Sequence, residues 1–345
     1  MICMGLSTEE RFALIKQNTE EIIGEEELKK LLKGGKKISV YIGTAITGKP
    51  HIGYFLWILK LADFLKAGLH VKILLADVHG ALDNTPWNIL AYRYQYYDES
   101  IRQMLKAAGA DIKKLEVVKG SSYQLQKNYI SDLLKLATFV SVHDAKKAAS
   151  DVVKNVEGEQ AKLSGLLYPL MQALDEEYLE VDMQYGGIDQ RKIFVFAREN
   201  LPKIGYKSRV EIMTPLIPSL VESGKMSASN EASKIDLLDS DDEIKNKINR
   251  AYCMEGDPHN GVMAFLKFVI MNILENKKNK FVVKRDKKFG GDVSYKSYIE
   301  IEKDFVSKKL HPMDLKQAVS EEIITLLKKI DKKKLEKLAE KAYEE

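Results

Sequence analysis

The chain has 345 residues, 45% hydrophobic and 30% charged, with a net charge of +4, the balance of a globular protein with a sizeable core and two or three domains. No run of about 18 apolar residues occurs, which excludes a helical membrane span, and residues 1–12 carry Glu9, Glu10 and Arg11 without an apolar stretch, so no secretory signal is expected. Cys3 and Cys253 have neither metal-ligand spacing nor a disulfide framework, which fits a protein of the reducing cytoplasm without a protein-bound metal. Charge is unevenly spread. Residues 276–345 hold 19 Lys+Arg against 13 Asp+Glu, a net +6, and the remainder sums to −2. A basic final third could contact a phosphate backbone, and could equally be a solvated lysine-rich surface.

In chain order, Thr8 to Leu32 has apolar residues at helical spacing (Phe12, Ile15, Ile22, Leu28, Leu31, Leu32) and stops at Gly34-Gly35, giving an N-terminal helical segment over 1–35. A strand is predicted at 38–42, a turn through Gly48-Lys49-Pro50, and a helix from about His51 to Lys66 that ends at Ala67-Gly68. The apolar run 71–76 suits a buried parallel strand, which completes a βαβ unit. Thr85-Pro86 opens a helix to about Ala108, and a strand follows at 115–119. Alternating strands and helices predict an α/β fold: a doubly wound, Rossmann-like parallel sheet over about 36–230, with ligands at the carboxyl ends of the strands. Residues 121–162 are polar and helical and are expected to be an insertion. Beyond Asp239 the pattern is helical, with an apolar stretch at 265–274 and an amphipathic one at 321–343, so a second, α-helical domain is expected over 231–345.

The turn after the first strand carries chemistry. Gly43-x-x-x-x-Gly48-Lys49 matches the opening of a phosphate-binding P-loop, but the position that must offer a hydroxyl to magnesium is Pro50. Proline also removes an N–H that would cradle phosphate. A better use of these residues is a nucleotide lying over the strand end. Gly43 and Gly53 allow close approach, Thr47 offers a hydroxyl, and His51 stands at a helix start whose free N–H groups and dipole favour triphosphate oxygens.

Pro50-His51-Ile52-Gly53-Tyr54 resembles the H-I-G-H motif of the class I aminoacyl-tRNA synthetases, and Lys225-Met226-Ser227-Ala228-Ser229 resembles their K-M-S-K-S loop. From about Glu20 to Ile330 the sequence resembles the archaeal and eukaryotic tyrosyl-tRNA synthetases. Three further stretches carry that likeness: Tyr168-Pro169-x-x-Gln172-Ala173-x-Asp175, Gly186-Gly187-Ile188-Asp189-Gln190-Arg191-Lys192 and His311-Pro312-Met313-Asp314-Leu315-Lys316. Two positions depart from the pattern. Tyr54 replaces the second histidine of the first motif, and Ala228 replaces the second lysine of the loop, leaving Lys225 as its cation with Ser227 and Ser229 as hydroxyl donors.

The resemblance implies tyrosine–tRNA ligase activity, in which tyrosine and ATP (as its Mg2+ complex) give tyrosyl-adenylate and pyrophosphate, and the tyrosyl group passes to the terminal ribose of tRNA(Tyr). It implies Tyr41 and Asp175 at the phenol, and Tyr168, Gln172 and Gln190 around the ammonium group. Spacing agrees independently, since Tyr168, Gln172 and Asp175 at i, i+4 and i+7 share one helix face. ATP is expected against Gly43, Thr47, His51, Gly53, Gly187, Asp189, Lys225, Ser227 and Ser229, with Thr47, His51, Lys225 and Ser229 stabilising charge in the transition state. Leu74, Ala76 and His79 suit the ring pocket, although His79 equally suits the core.

For tRNA, the resemblance implies Lys146, Lys147 and Lys192 near the acceptor stem, and Phe289, His311 and Asp314 at the anticodon, on a domain specialised for it. It also implies a homodimer, a mobile loop at 223–230, and a chain without the extra carboxyl-terminal module of many animal relatives. Two rivals remain. A tryptophanyl-tRNA synthetase shares the fold and often the K-M-S-A-S loop, but an indole offers only a donor. A non-catalytic RNA-binding protein could have kept the synthetase shell.

Overall fold

The computed structural model describes residues 6–344 except 112–114, 154, 155, 157, 159, 160, 223, 225 and 227–232. One sheet contains β1 (Glu21–Ile23), β2 (Ser39–Ala45), β3 (His70–Ala76), β4 (Leu115–Lys119), β5 (Met183–Gly187) and β6 (Val210–Thr214), in the spatial order β1-β6-β5-β2-β3-β4. Strands β2 to β6 run parallel, and β1 closes one edge antiparallel to β6. The centre of β3 (Ile73, Leu74, Leu75) is fully buried, as expected of a strand covered on both faces. Chain order reverses between β2 and β5. Their carboxyl ends, around Gly43 and Gly187, therefore part to leave a crevice, the place where such sheets bind ligands.

The expected N-terminal helical segment is instead two helices, Thr8–Lys16 and Glu25–Lys33, with β1 between them. Asn18 (φ 55°) and Gly24 (φ 88°) adopt the left-handed region, which a helix cannot continue through. The β-branched pair Ile22-Ile23 then aligns with Ile212 and Glu211 of β6. Edge pairing overrode helical spacing.

Within 121–162, helices Lys127–Ala137 and Val142–Ala149 do not stand apart from the sheet domain. Tyr129, Leu133, Leu136, Ala145 and Ala149 form one buried cluster with Tyr168, Met171, Leu174 and Ile193 of helices Leu163–Tyr178 and Arg191–Asn200. The region thus walls the crevice.

Beyond 231, helices Asp241–Arg250, Gly261–Phe265, Asn272–Asn276, Tyr298–Val306, Pro312–Leu327 and Lys332–Ala342 surround a hairpin that helical patterning did not suggest, β7 (Phe281–Val283) with β8 (Val293–Tyr295). These helices share one continuous apolar core with the sheet's helices. Polar contacts tie the final helix to helix Leu90–Ala108: Asp331 N donates to Gln103 Oε1 at 2.6 Å, and Lys334 pairs with Glu99 at 2.7 Å.

Candidate active site at the sheet's switch point

Two clusters of side chains face the crevice. The first lies under helix Leu163–Tyr178, whose predicted face is formed: Gln172 Nε2 donates to Gln190 Oε1 at 3.1 Å, and the Tyr168 ring packs edge-on against His79 with centroids 4.5 Å apart. Asp175, 1% exposed, is the centre of this cluster. Its Oδ1 accepts from the Tyr123 hydroxyl (2.8 Å), Gln124 Nε2 (2.8 Å) and the Tyr129 hydroxyl (2.9 Å). Its Oδ2 lies 3.9 Å from His79 Nε2, a buried nitrogen without a hydrogen-bond partner among the described residues. Burial raises the Asp175 carboxyl to about 7 against the pull of Gln124, Tyr123 and Tyr129, and burial lowers the His79 imidazole to about 4. An apolar environment penalises each charged form, and three donors recover only part of that for the carboxylate.

Tyr41 was expected beside Asp175. It is buried and its phenol is raised, first by burial and then by the Asp175 charge, yet its hydroxyl donates to the Gln172 carbonyl at 3.2 Å. The two groups thus approach the same space from different anchors, without bonding to each other. Tyr123, Gln124 and Tyr129 were missed from sequence, and His79 was left open between pocket and core. The legible signal was position: residues 120–124 follow the carboxyl end of β4, where a doubly wound sheet presents ligand-facing groups. Gly120 is required there, because a Cβ would stand 2.5 Å from Gln124 Oε1 and 2.9 Å from Asp77 Oδ1. Asp77 in turn accepts from Ser121 N at 2.7 Å and so fixes this corner.

The second cluster is the turn after β2. His51 caps a short 3-10 turn, Ile52–Tyr54, rather than opening the α-helix, which runs Phe55–Lys66. Gly53 N donates to His51 Nδ1 at 3.2 Å, which puts the ring's own proton on Nε2. Burial, aided by the Lys234 charge, lowers the imidazole to about 3, so the ring is neutral at physiological pH. A Cβ on Gly53 would lie 2.8 Å from His51 Cε1 and 3.1 Å from Met226 Sδ. The two signatures therefore meet through Met226, whose N donates to Ile217 O at 3.1 Å.

The turn is held from outside by Ile52 N donating to Ile235 O (3.0 Å) and by the Tyr97 hydroxyl donating to Gly48 O. Tyr54, the departure from the motif, packs against the His51 ring at 5.2 Å and near Trp57 and Tyr97. Gly43 and Thr47 border the crevice, and Gly187 lies against Asp189, whose Oδ1 would be 2.7 Å from a Cβ at 187. Lys225, Ser227 and Ser229 lie outside the described residues.

The residues expected to meet tRNA are spread over separate elements. Lys147 is exposed and Lys146 half-buried. Lys192 pairs with Asp151 Oδ1 at 2.7 Å and Ser150 Oγ at 2.8 Å. Phe289 is 62% exposed, with Lys288 Nζ 4.9 Å from its ring centre. His311 caps helix Pro312–Leu327 by accepting from Met313 N at 3.2 Å, and Asp314 stands in that helix's first turn.

The family model described as tRNA synthetases class I (W and Y) matches residues 33–328. Among curated relatives, the cytoplasmic tyrosine–tRNA ligase of Saccharomyces cerevisiae is 46% identical over 97% of this chain and 88% of that protein. The chain belongs to the class I tyrosyl-tRNA synthetases. The cytoplasmic tyrosine–tRNA ligase of Danio rerio is 49% identical over 99% of this chain, and the chain spans 64% of that relative's length. Among solved structures, tyrosyl-tRNA synthetase from Archaeoglobus fulgidus, complexed with L-tyrosine, superposes with a TM-score of 0.86 at 37% identity, covering 95% of this chain and 99% of the other. Among the described residues no helix is long and apolar enough to cross a membrane.

Proposed function

We propose that this protein is a tyrosine–tRNA ligase: it joins tyrosine to ATP as tyrosyl-adenylate and then charges the 3′-terminal adenosine of tRNA(Tyr). The observation that carries this is Asp175, a buried carboxylate with three donors on one oxygen, its other oxygen 3.9 Å from His79 Nε2, and its charge near enough to raise the Tyr41 phenol. A phenol can donate to Asp175 and can accept from Tyr41 once that hydroxyl turns from the Gln172 carbonyl, whereas phenylalanine leaves a buried carboxylate oxygen without a donor and indole offers a donor only. Gln172 and Gln190, joined to each other, and Tyr168 receive the ammonium group.

In adenylate formation the tyrosine carboxylate attacks the α-phosphorus of ATP and pyrophosphate leaves. No protein nucleophile is needed, so the chain's contribution is positioning and stabilisation of developing charge. His51, a neutral donor through Nε2, and Thr47 act on the phosphates, with Lys225, Ser227 and Ser229 from the signature loop. Gly43 and Gly53 admit the nucleotide, Gly187 and Asp189 take the ribose, and Mg2+ enters with ATP as substrate.

The helical part from 231, whose basic stretch is 276–345, is the anticodon-binding domain in this reading, with Phe289 stacking on a base and His311 and Asp314 reading an edge. Lys146 and Lys147 lie toward the acceptor stem, and Lys192 joins them only by leaving Asp151. A homodimer is supported by Leu125, Ile130, Leu134, Phe139 and Val142, five exposed apolar residues gathered in 125–142. Tyrosine-dependent pyrophosphate exchange tests the reading against its nearest rival. Exchange is expected with tyrosine and absent with phenylalanine and tryptophan. Exchange driven by tryptophan instead overturns it, and tight tRNA binding without any exchange returns the RNA-binding shell.

A further inference from the structure

Directly behind the tyrosine pocket lies a pair of acids that the proposed chemistry does not use. Glu176 follows Asp175 on helix Leu163–Tyr178, and Glu211 stands in β6; both are 0% exposed. They lie within hydrogen-bond reach of each other, and none of their four oxygens has a donor among the described residues. Their surroundings are fixed by register. Tyr41 pairs with Gln184 and Gln184 with Glu211, so the three side chains form a row on the sheet face that the helix covers.

The charged groups around the pair are spent elsewhere. The Arg209 guanidinium donates to the Val181 and Lys207 carbonyls (3.2 and 2.6 Å) and to Glu177. Arg198 is held by Glu27 at 2.9 Å and by the Arg209 carbonyl. Asp175 and the Tyr41 phenol are the further titratable neighbours among the described residues that act on the pair. Two carboxylates this close and this dry cannot both ionise without strong repulsion, and a shared proton removes it while giving each a hydrogen bond. Burial raises the proton affinity of both carboxyls, and the Glu176 charge raises that of Glu211 further, against the pull of Arg198 and Arg209. The helix end is also tied down by Lys72 Nζ donating to Leu179 O at 2.8 Å, so a contact at residue 176 sets the neighbouring carboxylate's position.

We propose that Glu176 and Glu211 hold one proton between them and act as the positioning pair that fixes where the Asp175 carboxylate meets the substrate phenol. The inference rests on the tyrosine-pocket reading above. Loss of the shared proton in alkali pushes the helix end from β6 and weakens phenol recognition, while the ATP turn, on another element, is untouched. Glu211→Gln supplies a permanent donor and removes the second charge; Glu176→Gln is the reciprocal variant should the first fail to fold.

The test compares each with wild type from about pH 6.5 to about pH 9.5, by melting temperature and by KM for tyrosine and for ATP in pyrophosphate exchange. Titration of the substrate is common to all proteins and cancels in the ratio. The wild-type KM for tyrosine is expected to rise about fivefold relative to the variant across this range, with the ATP ratio constant within about twofold. Wild type is also expected to lose melting temperature relative to the variant as pH rises, because the folded pair binds a proton that the unfolded chain releases. A flat melting comparison overturns the shared proton. A sloping one with a flat KM ratio overturns the positioning role and leaves a structural pair. Absence of any tyrosine-dependent exchange sinks the functional reading instead, while the melting comparison still reports on the proton.

Discussion

The two halves of the crevice are built on opposite principles. The tyrosine side is an assembly of buried side chains drawn from four separated segments: Tyr41 on β2, His79 after β3, Tyr123 to Tyr129 after β4, and helix Leu163–Tyr178. The side proposed for the nucleotide is built on the short turn after β2, capped by one neutral imidazole, together with Gly187 and Asp189 at the end of β5. Recognition of a hydroxyl on an otherwise apolar ring needs polar groups held dry, since only an unpaired buried group rejects the wrong ring strongly. A triphosphate carries its own charge and water, and is met by N–H groups that any sequence able to make the turn provides.

That contrast can be broken at three points. The largest expected effect is at Asp175: Asp175→Asn should lower kcat/KM for tyrosine about 100-fold, the worth of a hydrogen bond to a charged acceptor, with KM for ATP nearly unchanged. In wild type the carboxyl titrates at about 7. Its folded value is raised, so the native state favours the protonated acid below that pH, and kcat/KM for tyrosine should fall as pH drops through about 7; the asparagine variant should lose that limb. Equal losses for tyrosine and ATP would dissolve the distinction between the two sides.

Next is His51→Ala, which should slow adenylate formation about 100-fold, as loss of one transition-state donor does, while tyrosine binding measured by equilibrium dialysis stays within about twofold. A large loss of tyrosine affinity would mean the turn and the pocket are one unit. The smallest effect is expected from Phe289→Ala, which should raise KM for tRNA(Tyr) about tenfold through a lost stacking contact and leave pyrophosphate exchange untouched. An unchanged charging reaction would remove Phe289 from the tRNA surface.

Much of this site is legible in the amino-acid sequence. Glycines, a histidine and a proline at fixed offsets after an apolar run carry backbone requirements that do not depend on distant contacts, so the turn at 43–53 can be read directly. The i, i+4, i+7 spacing of Tyr168, Gln172 and Asp175 likewise needs only helix geometry. What spacing could not show was the company Asp175 keeps. Tyr123, Gln124 and Tyr129 are about 50 residues away, and their distance to the carboxylate is fixed only when 121–162 packs on helix Leu163–Tyr178. For the same reason the pairing of Lys192 with Asp151, 41 residues away, was not legible.

Sequence by itself determined the alternating α/β pattern, the turn at 43–53 and the shared helix face of Tyr168, Gln172 and Asp175, because each follows from local backbone geometry and periodicity. Tertiary structure alone decided that Ile22-Ile23 would form an edge strand rather than a helix, that Asp175 would be dry and thrice bonded, and that Glu176 would face Glu211. Burial, register and the pairing of distant side chains are properties of the closed fold, and they set the charge state on which phenol recognition depends.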